Sequence, residues 1–206
     1  MSKIRLVRPL LLLALLLAAG CGDPAGSGDR PRAEDELVFL RAAEGTPPLE
    51  SQTVSFVARV GDNARAEIRY VNNGYGYEKC LEFRIPGNGL LRRPDGRRFQ
   101  RGDTVRITIT VVDPARFDFR FEPSGLRFDP DHPAELRVSY RWADRDYNGD
   151  GTVDDRDERF EREFGFWHQG RAGQPWSRMG TVKLEDLREA KAEITGFSRY
   201  ALAGGY

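Results

Sequence analysis

From Thr53 onward the chain alternates apolar and polar residues with a period of two. "TVSFVARV" and "ARAEIRYV" flank Gly61-Asp62-Asn63 and predict a hairpin turning at those three residues. "CLEFRIPG" follows, and then "DTVRITITVV", where Val105, Ile107, Ile109 and Val111 share one face and Arg106, Thr108 and Thr110 the other, the pattern of a half-buried strand. "RFDFRFEP" sets Phe117, Phe119 and Phe121 inward against Arg116, Asp118 and Arg120, and "AELRVSYRW" aligns Leu136, Val138, Tyr140 and Trp142. "EFGFWHQG", "QPWSRMGTVKL", "EAKAEITG" and "RYALAG" add further short runs. Many short alternating segments, separated by Gly and Pro turns and with only one or two helical turns among them, predict an all-β fold, an antiparallel β-sandwich.

Three stretches lie outside the alternation. Residues 144–164 read as an insertion between sandwich strands: an acidic loop, "DYNGDGTVDDRD" at 146–157, then "DRDERFEREF", whose Phe160 and Phe164 lie four apart and give a short helix one apolar side. Ahead of Thr53, residues 34–50 hold one apolar patch, Leu37-Val38-Phe39-Leu40, before Pro47-Pro48; a helical turn docked on the domain edge is expected there. Residues 22–33 are nearly all Gly, Pro, Ser, Asp and Arg, too polar to bury a core, and predict a flexible tether.

The first twenty residues supply an address. Lys3, Arg5 and Arg8 precede a Leu/Ala run from Pro9 to Ala19, shorter than the roughly 20 apolar residues that span a bilayer, so the segment reads as an export signal. Ala18-Ala19-Gly20-Cys21 resembles the lipobox of bacterial lipoproteins, with Ala18 where Leu is commonest. The resemblance implies that Cys21 is acylated, becomes the new N-terminus, and holds the protein on a cell-envelope membrane through a lipid anchor. Two or three acyl chains, at about 0.8 kcal/mol per buried methylene, make such an anchor stable. The organisation expected is a signal peptide at 1–20, anchor and tether at 21–50, and a sandwich at 51–206 carrying the insertion at 144–164.

Charge and cysteine content narrow the function classes. The 206 residues balance 32 Lys and Arg against 32 Asp and Glu, and loss of Lys3, Arg5 and Arg8 with the signal leaves 29 against 32. Without a basic patch, nucleic acid is not an expected partner. With Cys21 lipidated, only Cys80 remains, which rules out an intramolecular disulfide and predicts a buried structural thiol.

The stretch "FEPSGLRFDPDHPAELRVSY", with "IPGNGLLRRPDGRRF" before it and Trp176 in "QPWSRMGTV" and "ITGFSRYALA" after it, resembles the ZU-five module of netrin receptors, ankyrins and zonula-occludens scaffolds in its bacterial relatives. The resemblance covers residues 52–203 and rests on structural motifs: a Pro-Ser-Gly turn, core aromatics and an edge strand. It implies a β-sandwich used for protein interaction and docking rather than catalysis. The acidic loop departs from the eukaryotic pattern of that module.

Set against the EF-hand calcium loop, "DYNGDGTVDDRD" aligns without a gap. Asp146 falls at position 1, Asn148 at 3, Asp150 at 5, Gly151 at 6, Thr152 at 7, Asp154 at 9 and Asp157 at 12. Calcium takes six to eight oxygens at about 2.3 to 2.6 Å, which short oxygen-bearing side chains at alternate positions can supply while Gly151 allows the bend. Thr152 would offer its carbonyl, Asp154 would act through a water, and Val153 would turn inward to anchor the loop. Asp157 replaces the usual bidentate Glu, as in the calcium loops of dockerins, which this stretch resembles; dockerins carry two such loops and this chain one. The alternative is an Asp/Asn/Gly-rich solvated turn, for which each residue type is independently favoured.

Other motifs are better explained by turns and packing. Arg101-Gly102-Asp103 precedes a strand and matches ordinary turn chemistry. His132 and His168 are far apart and no nucleophile motif is present, so no enzyme activity is expected. Trp142, Trp167 and Trp176 are read as sandwich core or edge, the alternative being a carbohydrate platform. The expectation is an envelope lipoprotein whose calcium-stabilised sandwich is an interaction or structural module for an unidentified protein or glycan partner, the alternative being an accessory carbohydrate-binding component of a degradative system.

Overall fold

The structure is a computed structural model that describes residues 30–71 and 78–205. The signal segment, Cys21 and the tether up to residue 29 lie outside the described residues. Among the described residues, fourteen strands and one α-helix follow in chain order: β1 (Leu37–Phe39), β2 (Thr53–Arg59), β3 (Ala64–Arg69), β4 (Lys79–Ile85), β5 (Leu90–Arg92), β6 (Thr104–Asp113), β7 (Asp118–Glu122), β8 (Arg127–Phe128), β9 (Ala134–Ser139), α1 (Asp155–Glu163), β10 (Gly165–Gln169), β11 (Ser177–Arg178), β12 (Val182–Leu184), β13 (Glu189–Ile194) and β14 (Arg199–Gly205).

Every strand pairing among the described residues is antiparallel. One sheet runs β11-β10-β14-β7-β6-β2 with β1 also on β14, the second runs β12-β13-β9-β4-β3, and β5 with β8 forms a small ribbon. This is the all-β sandwich that the alternation predicts, and the facing residues are the predicted ones. Ile107, Ile109 and Val111 of β6, Phe119 and Phe121 of β7, and Leu136 and Val138 of β9 are buried between the sheets. Aromatic edges fill the middle: Phe83 meets Phe121 at 5.2 Å and Phe128 meets Phe197 at 5.1 Å between ring centres. Offset and edge-on ring pairs of this kind add about 0.5–1.5 kcal/mol each beyond their buried area.

The predicted hairpin at residues 61–63 does not form. β2 pairs with β6 and β3 with β4, so the turn carries the chain from one sheet to the other. The turn is bonded to neighbouring loops: Val60 N–H donates to Asp103 C=O (2.9 Å), Gly61 N–H donates to Gly87 C=O (2.7 Å), and Asn63 Oδ1 accepts from Gly87 N–H (2.9 Å). Gly61 sits at φ 103°, a conformation costly for a residue with a Cβ. Two amphipathic strands joined by a short turn can bury their apolar faces side by side or face to face across a core, and alternation alone does not distinguish these.

The patch Leu37–Phe39 is a strand, not a helical turn; the only helical residues beside it are the 3-10 turn Glu34–Glu36. β7 reaches only as far as Ala201 along β14, which leaves the same edge open at Ala203 to Gly205, and β1 pairs there. Leu40 N–H then donates to Leu202 C=O at 3.0 Å. The sandwich therefore begins before residue 51 and takes in residues assigned from sequence to the tether. On the outer face of the larger sheet, Leu37 joins Trp167, Trp176, Ala201 and Ala203 in a second small core.

Candidate metal centre

β9 ends at Ser139 in the smaller sheet and β10 starts at Gly165 in the larger one, so the excursion between them, residues 140–164, bridges the two layers. It has the predicted order of strand, loop and short helix. Phe160 and Phe164 form the helix's apolar side. Phe164 packs edge-on to Tyr140 (5.0 Å), and Phe160 stacks on Tyr147 (5.2 Å, 22° between planes). The helix's C-terminal carbonyls are capped by side chains from β11 and β12: Arg178 Nη2 donates to Glu163 C=O and Lys183 Nζ to Arg162 C=O, both at 2.5 Å.

The loop is knitted by its own oxygen-bearing side chains. Asp146 Oδ1 accepts from Gly149 N–H (2.7 Å) and Asp150 N–H (3.1 Å), and its Oδ2 from Gly151 N–H (2.8 Å). Asn148 Oδ1 accepts from Asp150 N–H (2.8 Å). Asp150 Oδ1 accepts from Thr152 N–H (3.0 Å) and the Thr152 hydroxyl (2.7 Å). The hydroxyl first, and the amide next, hold the Asp150 carboxyl below its ordinary pKa. Gly149 at φ 74° and Gly151 at φ 89° supply the left-handed bends such a turn needs.

Asp154 and Asp157 stand apart from this turn. Asp154 is the N-cap of α1, its Oδ1 accepting from Arg156 N–H at 2.8 Å, and Asp157 is the third helical residue of a reciprocal capping box. The Asp157 carboxylate is almost wholly buried, 1% exposed. Its Oδ1 accepts from Tyr147 N–H (2.7 Å) and Asn148 N–H (3.2 Å), and its Oδ2 from Asp154 N–H (3.0 Å). One buried side chain thus ties the first turn of the helix back to the start of the loop.

The chemistry of the donor set and the loop backbone fit a hard cation. Asp146, Asn148, Asp150 and Asp157 each keep at least one oxygen with an unused lone pair, and the Thr152 carbonyl lies between them in sequence. The carboxylates are not gathered, however: among the described residues no three His, Cys, Asp or Glu side chains are grouped to hold an ion. Backbone N–H groups hold these acceptors instead, and a cation would have to draw them together. The anchor differs from expectation as well. Val153 is 62% exposed and does not turn inward; Tyr147, at loop position 2, is buried instead, and Arg188 Nη2 donates to its hydroxyl (3.2 Å). The sequence signal that would have pointed to it is an aromatic residue between two polar ones in an otherwise acidic run.

Elsewhere the predicted packing roles are realised. Cys80 is buried, and burial pushes its thiol up to about 11, although the Tyr70 hydroxyl hydrogen-bonded to it acts in the opposite direction. Trp167 and Trp176 are buried, with Trp167 Nε1 donating to Ala203 C=O (2.9 Å). Trp142 is half-buried, its Nε1 donating to Glu78 Oε2 (2.7 Å). Neither buried indole can serve as a carbohydrate platform. Arg101-Gly102-Asp103 forms the turn before β6, Asp103 pairing with Arg93 at 2.9 Å. His132 lies in a turn, while burial lowers the pKa of His168 in β10.

No protein-family model, curated protein or solved structure matches this chain.

Proposed function

We propose that the protein is a cell-envelope lipoprotein, tethered through Cys21, whose β-sandwich is a structural or interaction module stabilised by one calcium ion in the 146–157 loop. The observation that carries the location is the basic segment and the Leu/Ala run ahead of Ala18-Ala19-Gly20-Cys21, followed by the Gly-, Pro-, Ser- and Asp-rich stretch at 22–33. The likeness to the ZU-five module supports a docking role. The loop's gapless match to calcium-loop spacing, its all-oxygen donor set and its two left-handed glycines support the ion.

In this reading Asp146, Asn148, Asp150, the Thr152 carbonyl and Asp157 hold the cation and Asp154 acts through water. The ion offsets repulsion among the four carboxylates and pins an excursion that spans both sheets. At tenfold excess over its dissociation constant it would add about 1.4 kcal/mol of stability. Two experiments test the proposal separately. Cys21→Ala moves the protein from the membrane to the soluble fraction; unchanged membrane association refutes the anchor. Calorimetric titration shows calcium binding that Asp146→Ala plus Asp150→Ala abolishes; no heat with the unaltered chain refutes the ion. Both substitutions are at partly or fully exposed positions and spare the buried Asp157.

A further inference from the structure

Sheet edges are templates for strand addition, and folded proteins blunt them with short strands, charge, bulges or covering segments. Most edges here are blunted in these ways. β1, β11 and β12 are two or three residues long. β3 carries Arg65, Glu67 and Arg69, is broken by a bulge between Ile68 and Arg69, and is covered at its end by Glu50, whose N–H donates to Arg69 C=O at 2.9 Å.

β2 is different. It is seven residues long, pairs with β6 without a register shift, and holds no charge before Arg59. Gln52 C=O and Val60 N–H both bond across to the β6 side on the β2–β6 register, so the even-numbered residues of β2 direct their amides at β6 and the odd-numbered ones away from it. At the two ends both outward carbonyls and the Thr53 amide are already used: Ser51 Oγ bonds both Thr53 N–H and Thr53 C=O, and Asp62 N–H donates to Arg59 C=O. Between them, among the described residues, nothing bonds to the N–H and C=O of Ser55 or of Val57.

We infer that β2 pairs antiparallel with β2 of a second copy of this chain, about a two-fold axis at Phe56. The window of open groups is self-complementary: Ser55 and Val57 of one copy face Val57 and Ser55 of the other, and all four outward pairs of donor and acceptor are satisfied at once. Side chains agree with the same register. Val57, 54% exposed, lies beside Ser55 of the second copy; Val54 meets Ala58; the two half-buried Phe56 rings meet at the axis; and Arg59 faces Thr53 rather than its own copy. The larger sheets of the two molecules would then be continuous.

The test is sedimentation equilibrium of the full chain in density-matched detergent micelles, beside amide hydrogen exchange at Ser55 and Val57. Val57→Pro removes only an outward N–H and so spares the β2–β6 ladder, while Ser55→Lys plus Val57→Lys sets like charges opposite each other. The unaltered chain is expected to dimerise with both amides protected. Each variant should keep its circular dichroism, raise the dissociation constant at least about tenfold and expose the amides. If Val57→Pro unfolds the chain, the double Lys variant, at two exposed positions, decides. A wild-type chain that stays monomeric, including one whose edge accepts only a foreign peptide, overturns the inference, as does a folded variant that dimerises like wild type.

Discussion

Replacing Asp157 by Ala tests the structural role of the loop's buried carboxylate apart from the proposed calcium binding. The substitution removes one buried carboxylate and strands three amides, those of Tyr147, Asn148 and Asp154. Asp154 is exposed and Asn148 half-exposed, so water can reach those two, whereas Tyr147 is buried. A buried donor left without an acceptor costs about 1–3 kcal/mol. Loss of half of a capping box costs about 0.5–2 kcal/mol more. Together these give a destabilisation of about 3 kcal/mol, which for a fold of this size lowers the melting temperature by about 6–12 °C. Thermal unfolding followed by circular dichroism, with and without a calcium chelator, is the assay. Because the latch consists of backbone hydrogen bonds, the loss is expected in chelator as well as in calcium. A melting temperature in chelator indistinguishable from wild type would show that the carboxylate does not hold the helix to the loop, and the reasoning from its burial would fail.

Three further outcomes follow from buried or paired charge. Arg199 lies along the fully buried Asp118 carboxylate, with Nε–Oδ1 at 2.9 Å and Nη2–Oδ2 at 2.5 Å; Arg199→Ala should cost about 3–5 kcal/mol in urea unfolding, while Arg199→Met with Asp118→Leu should recover most of it, and equal losses in both would refute the desolvation argument. Burial raises the pKa values of Glu82 and Glu135, but Lys79 and Arg84 around the first, and Lys191 and Arg137 around the second, outweigh it and hold both carboxyls below their ordinary values. Their contribution is therefore present above the unfolded carboxylate pKa of about 4.3 and lost as pH falls through the lower folded values, so melting temperature should drop on acidification and the slope should flatten in Glu82→Gln plus Glu135→Gln. The Cys80 thiol, raised to about 11, should resist alkylation at pH 8 until the chain unfolds, and its contribution to stability, full below the unfolded thiol value, should fade as pH rises through 11; rapid alkylation of the folded chain would contradict its burial.

The all-β class, the inward faces of β6, β7 and β9 and the Phe160–Phe164 side of the helix are determined by the sequence alone, because period and spacing record which side chains leave water. The same holds for the turn chemistry of residues 146–152, where each Asp or Asn bonds to amides only a few residues ahead. Tertiary structure decided the rest. β2 lies against β6, about fifty residues away, and β1 fills the part of β14's edge that the short β7 leaves open; neither neighbour is written in the local pattern. Spacing marks Asp157 as a candidate ligand but does not reveal that its carboxylate also accepts from amides ten and nine residues back, and Tyr147 rather than Val153 goes inward because Phe160 and Arg188 await it there. Local periodicity fixes orientation toward water. Pairing, and the fate of a buried carboxylate, depend on donors and acceptors that only the folded chain brings within hydrogen-bond reach.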